Sequence, residues 1–210
     1  MKTLSVLCRT LTATALACLL WIPAAQAETV KTLSLTPFEV NAQTPLDSIQ
    51  KGMTQMLYSR LSWRDRVVVV PPATTGALWS ATSDMTGKER IQQLGKETGS
   101  DYIVVGSITE LAGAFSIDAR VIDIKNNRYG SFFQFSDKEE DLIDKVDRLA
   151  AEINQKVFNR STYTWEKMEA EKEAERLRLK RQNPEYLLKK SVPKEGQEGN
   201  SVWKIWDRLF

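Results

Sequence analysis

Apolar and polar residues alternate through Leu33-Ser34-Leu35-Thr36, and Pro37-Phe38 closes the run. A period of two over this length predicts a strand from Val30 to Phe38. The period then changes. Leu46, Ile49, Met53, Met56, Leu57 and Leu61 recur at three- and four-residue spacing, one apolar face of a helix that ends near Leu61. Thr44-Pro45 offers this helix an N-cap followed by proline at its first position, with Asp47 in the first turn. Val67-Val68-Val69-Val70, stopped by Pro71-Pro72, is continuous β-branched sequence and predicts a strand covered on both faces. Ala73 to Asp84 reads as a loop carrying Trp79. A short helix follows over about Thr86 to Thr98, with Ile91 and Leu94 inward and Gly99 as its stop.

Asp101 to Ile108 is the third strand. Phe115, Ile117, Ala119 and Val121 alternate with Ser116, Asp118 and Arg120 in the fourth, and Asn126-Asn127 turns the chain into a fifth from Tyr129 to Phe135. Leu142, Val146, Leu149, Ala150, Ile153 and Val157 mark a long amphipathic helix ending near Phe158. Strands joined through helices pair in parallel, and strands joined by short turns pair antiparallel. The expected fold is therefore α/β, with one mixed five-stranded sheet. Its first three strands are parallel, its last three form an antiparallel meander, and about three helices cover it.

The flanks differ from this core, which is taken as residues 28–160. Lys2 and Arg9 precede an apolar stretch from Leu11 to Ile22, broken by Pro23 and ending at Ala25-Gln26-Ala27. A positive start, a short apolar run and small residues before the cut make residues 1–27 a secretory signal peptide. About a dozen apolar residues fall short of the roughly 20 that a membrane-spanning helix needs. Cys18 suggests a lipoprotein instead, but Ala15 stands where a lipobox has leucine and Leu19-Leu20-Trp21 follow where polar residues belong. The expected location is the periplasm, with an outer-membrane association left open. Residues 161–183 form a charged helical arm, glutamate-rich at its start and Arg176 to Arg181 at its end, in accord with the helix dipole. Residues 184–210 form a tail whose end places Trp203, Trp206 and Phe210 on one helical face, with Val202, Ile205 and Leu209 beside them.

Composition narrows the chemistry. The chain has no histidine, which removes the usual general base and the imidazole metal ligand. Its two cysteines, Cys8 and Cys18, fall in the signal segment, so the expected mature chain has neither thiolate nor disulfide. Removing Lys2 and Arg9 from 29 basic residues leaves 27 against 27 acidic ones. A neutral chain argues against nucleic acid as a partner. No cofactor or metal is implied.

Leu33-Ser34-Leu35-Thr36-Pro37-Phe38, Gly99-Ser100-Asp101-Tyr102-Ile103-Val104-Val105-Gly106-Ser107 and Ala119-Arg120-Val121-Ile122-Asp123, followed by an aromatic strand, resemble a group of envelope α/β domains. Its types are the amino-terminal domain of TolB, FlgO and CsgG-type proteins. The resemblance implies a non-catalytic domain that engages other envelope components. This chain departs from TolB in carrying no propeller after the domain, and from CsgG in lacking a recognisable lipobox.

Ser48-Ile49-Gln50-Lys51 matches the S-x-x-K of penicillin-recognising enzymes, without S-D-N or K-T-G elements beside it. Thr86-Gly87-Lys88 echoes a phosphate loop, but Thr82 stands where its first glycine belongs, and a helix start is the better reading. Asp118 and Asp123 fall on a polar strand face and at a turn, ordinary solvated places. The sequence thus points to a non-enzymatic envelope binding or assembly module. Trp203, Trp206, Leu209 and Phe210 would contact a protein partner or membrane surface, and the Trp79 segment would form a second surface. The rival is a small hydrolase using Ser48 and Lys51 or carboxylates.

Overall fold

The computed structural model describes residues 29–183. The expected signal segment and the tail residues Trp203, Trp206, Leu209 and Phe210 lie outside the described residues. In chain order the elements are β1 (Lys31–Leu35), β2 (Glu39–Asn41), α1 (Asp47–Leu61), β3 (Val67–Val69), α2 (Pro72–Ala81), α3 (Gly87–Thr98), β4 (Tyr102–Leu111), β5 (Ala114–Asp123), β6 (Arg128–Ser136), α4 (Leu142–Phe158) and α5 (Tyr163–Gln182). A 3-10 turn, Glu139–Asp141, leads into α4.

The mixed sheet is as the sequence predicts, in the order β3-β1-β4-β5-β6, parallel among β3, β1 and β4 and antiparallel from β4 to β6. A short strand, β2, joins it by pairing in parallel with β4 beyond β1. Leu35 pairs with Val104 and Glu39 with Ser107, so four steps of chain oppose three on β4. This extra residue is a bulge around Thr36-Pro37-Phe38. Proline is tolerated there because its missing N–H falls outside the regular ladder.

One face of the sheet, the inner face, carries Leu33, Leu35, Val67, Val69, Val104, Ile108, Ile117 and Val121 against Met53, Leu57 and Leu61 of α1 and Val146, Leu149 and Ile153 of α4. Arg60 of α1 pairs with Asp147 of α4. Buried Asn154 donates to the Arg60 carbonyl at 3.1 Å and to the Ala150 carbonyl at 2.9 Å, so the amide is satisfied. Asn159 takes the left-handed conformation that ends α4. On α5, Thr162 caps the N-terminus by accepting from the Trp165 N–H, Met168 is buried, and Glu171 meets Arg148 of α4 at 2.9 Å. The arm is thus anchored on α4 over its first two turns.

The opposite, outer face is covered at one end only. There α3 lies over β1 and β4, with Gly95 set against Ile103 and Ile124. The Gly99-Ser100-Asp101 stretch fixes this corner. Gly99 has positive φ, Ser100 shares buried hydroxyl contacts with Ser34 and Thr98, and the Asp101 carboxylate accepts from the Thr32 N–H at 2.9 Å. Its role here is to lock β4 beside β1.

Three local expectations are corrected. The segment from Ala73 is not a loop: Pro72–Ala81 is helical, started by proline in its first turn and supported by Thr75 bonding back to the Pro71 carbonyl. Thr44 does not cap α1. The helix begins at Asp47, and the Thr44 hydroxyl instead donates to Glu110. Val68 is 54% exposed, because β3 is the edge strand and only its inner face is covered.

Candidate interaction surface

Register decides which side chains reach the uncovered half of the outer face. Ser107 pairs with Asp118 and Asp118 with Phe133, while Val105 pairs with Arg120 and Arg120 with Ser131. Tyr129 lies opposite Ile122, and Phe135 opposite Ser116. Side chains alternate between faces, so Tyr129, Ser131, Phe133 and Phe135 share the outer face with Arg120, Asp118 and Ser116. On the inner face Phe132 and Ser136 are buried, whereas Tyr129 is 70%, Phe133 69% and Phe135 52% exposed.

Single exposed aromatics are ordinary, but three on the same face of one strand form a patch. Covering one such ring is worth roughly 1.5–3 kcal/mol. Beside the row a shallow hollow is lined by Glu39, Ser107, Asp118, Arg120 and Phe133. The Arg120 guanidinium lies 5.3 Å from the Tyr129 ring centre, and the Ser116 hydroxyl donates to Asp118 at 2.8 Å. The surface is thus an aromatic strip bordered by one cation and two carboxylates. Such a strip suits an amphipathic protein segment, with rings for apolar contact and charges for orientation.

Of the described residues named from the sequence, Asp118 borders the strip and the others fall elsewhere. Trp79 sits half-buried on α2 with the Arg90 guanidinium 3.9 Å over its ring, and Arg90 also donates to the Trp79 carbonyl at 2.7 Å. Ser48 and Lys51 are both exposed on α1. Asp123 belongs to the β5–β6 turn. Burial pushes its carboxyl up, but bonds from Asn126, with help from the Lys125 backbone and Arg128, outweigh this and hold it below its ordinary value. Thr86 forms a capping box with Glu89, and the Thr86 hydroxyl and N–H lower the Glu89 carboxyl. Thr86-Gly87-Lys88 is accordingly a helix start. Among the described residues no group of three or more His, Cys, Asp or Glu is placed to hold a metal, and no helix is long and apolar enough to cross a membrane.

The strip on β6 was missed as a site, although its signal was present. Once Asn126-Asn127 is taken as a two-strand turn, odd-numbered β6 residues must share a face with the polar residues of β5. Aromatic residues opposite Asp118 and Ser116 are therefore out of place for a solvated face.

No protein-family profile matches the chain, and no match arises among curated proteins. Among solved structures, the chain is similar to the LpoB C-terminal domain from Escherichia coli at 12% identity and a TM-score of 0.41, covering 55% of this chain and 88% of that one. It is similar to lipoprotein GNA1162 from Neisseria meningitidis at 19% identity and a TM-score of 0.38, covering 52% and 82%. TolB from Acinetobacter baumannii matches at 11% identity and a TM-score of 0.39, covering 64% of this chain but 29% of that one. Likeness at this level carries nothing about partners or activity.

Proposed function

We propose that this chain is an exported, non-enzymatic binding module of the bacterial envelope that engages a protein partner through the outer face of β5 and β6. The observation that carries this reading is the set of Tyr129, Phe133 and Phe135, three rings left uncovered on a sheet whose other face packs against α1 and α4. Export is supported by the charge and apolar pattern of residues 1–27. Contact rather than bond-breaking is supported by the composition, which offers neither imidazole nor, after signal removal, thiol.

The tail is proposed as a second contact. Trp203, Trp206, Leu209 and Phe210 supply aromatic surface to the same partner. Truncation after Asn200 is expected to leave the melting temperature nearly unchanged and to weaken co-purification. Unfolding of the truncated chain would instead make the tail structural.

The test of the main reading is substitution on the strip. Phe133→Ser and Tyr129→Ser are expected to preserve folding, since both rings are solvated, and to abolish capture of the partner from intact cells. Capture unchanged in both variants, or turnover of an ester, glycoside or penicillin substrate lost in Ser48→Ala, would overturn it.

A further inference from the structure

β6 is the terminal strand of the sheet, and among the described residues no strand pairs with its outer edge. Its nine residues match β5 in unbroken register, with no bulge. From Tyr129 to Ser136 it contains neither a charge nor a proline. Edge strands are normally protected by lysine, proline or a bulge, because their free N–H and C=O groups recruit another strand. This one lacks all three.

We propose that a second copy of this chain pairs antiparallel along β6, joining the two sheets into one. The sequence favours a copy of itself over an unrelated strand because its ends are complementary. Lys125 and Arg128 enter the strand, and Asp137, Glu139, Glu140 and Asp141 follow it with Lys138 among them. Antiparallel self-pairing sets the basic entry of each copy beside the acidic exit of the other.

Register follows from geometry. A two-fold axis normal to the sheet keeps the faces matched only when it passes through a residue, because an offset of one residue would oppose the two faces. Centred on Phe132, the axis overlaps the whole strand, Arg128 against Ser136 through to Ser136 against Arg128. Tyr129 then lies opposite Phe135 of the second copy, and Ser131 opposite Phe133, so the two aromatic strips merge into one. Cross-strand aromatic pairs of this kind stabilise a strand pairing. Centring on Phe133 sets Arg128 against Lys138 and Tyr129 against Asp137. Centring on Ser131 sets Phe135 against Asn127 in the turn. The first keeps only Phe133 against Phe133 on the outer face and opposes like charges; the second keeps Tyr129 against Phe133 but shortens the ladder to Arg128 through Gln134 and leaves Phe135 without a strand partner.

This inference stands apart from the partner reading, since a monomer with the same strip would still bind. Sedimentation of the full chain across a wide concentration range is expected to show a reversible dimer. Lys125→Glu with Arg128→Glu, or Glu139→Lys with Glu140→Lys, should each weaken it about tenfold or more. A chain carrying all four reversals should recover the dimer, which a merely misfolded variant would not do. With Cys8 and Cys18 replaced by serine, mixing Ser131→Cys and Phe133→Cys chains should give an intermolecular disulfide far exceeding that of either alone. A monomer at every concentration, a dimer indifferent to both reversals, or a disulfide pattern in another register would overturn the proposal. So would a purified monomer whose Ser131→Cys variant captures only a different protein in cells.

Discussion

Phe38 packs directly against the backbone of Gly106: a Cβ built on that glycine would come within 2.4 Å of the Phe38 ring and within 2.4 Å of the Asp118 carbonyl. Phe38 is almost fully buried, and it enters the core from the bulge between β1 and β2. The missing side chain on β4 is what allows the chain to bulge, seat a large ring and resume pairing as β2. The backbone of Gly106 then lines the hollow beside Phe133. A core contact thereby shapes the outer surface.

Gly106→Ala should destabilise the fold by about 1–3 kcal/mol through overpacking. Phe38→Ala should cost about 3–5 kcal/mol by opening a cavity. In the double variant the two costs should not add, because the alanine methyl partly fills the space the ring leaves. Urea unfolding of the four proteins reads this directly, and strict additivity would mean that the two residues do not meet.

Asn154 ties the C-terminal ends of α1 and α4 by donating to Arg60 and Ala150, and Arg160 reaches its side-chain oxygen at 3.4 Å. Asn154→Leu leaves the Arg60 carbonyl without this donor. A loss of about 1–3 kcal/mol is expected from equilibrium unfolding. No change would show that water replaces the amide.

Arg148 joins Asp144 on its own helix to Glu171 on α5, and these bonds, first that to Glu171, raise its already high pKa. The partners are half exposed, so Arg148→Ala should cost only about 0.5–1 kcal/mol, and less at high salt. Hydrogen exchange should quicken around Trp165 to Glu171 while the sheet is unaffected.

Glu152 lies beneath β6, where Gln134 donates to it at 2.9 Å. Burial raises its carboxyl above the ordinary value despite Lys172, Gln134 and Lys156. Ionised, it therefore costs the folded state stability at neutral pH, and the cost is relieved as pH falls through the raised value. Glu152→Gln should raise the melting temperature slightly at neutral pH, with the gain vanishing below the ordinary carboxylate range. A gain that persists in acid would point to packing rather than charge.

The hairpin and the two helices α3 and α4 were legible because their periods are undisturbed and their stops, Gly99 and Asn126-Asn127, are chemically distinctive. The α2 helix was not, since Ala73-Thr74-Thr75-Gly76 has low helix propensity and the helix is held by Pro72 and the Thr75 back-bond. No local pattern announces β2, three residues created by the bulge and by room on the long strand β4. Val68 looked doubly covered because a valine run carries no information about the sheet edge. Of the contact surface, the aromatic strand was visible, but its exposure depends on α3 covering only one end of the outer face.

The most direct test of the proposed surface is photo-crosslinking in intact cells with a benzophenone amino acid at Phe133, compared with the same probe at exposed Lys51. A discrete adduct with another protein is expected at Phe133, absent at Lys51 and lost when Tyr129→Ser and Phe135→Ser are added. Equal adducts at both positions, or none at Phe133 in cells where the chain is folded and exported, would contradict the account.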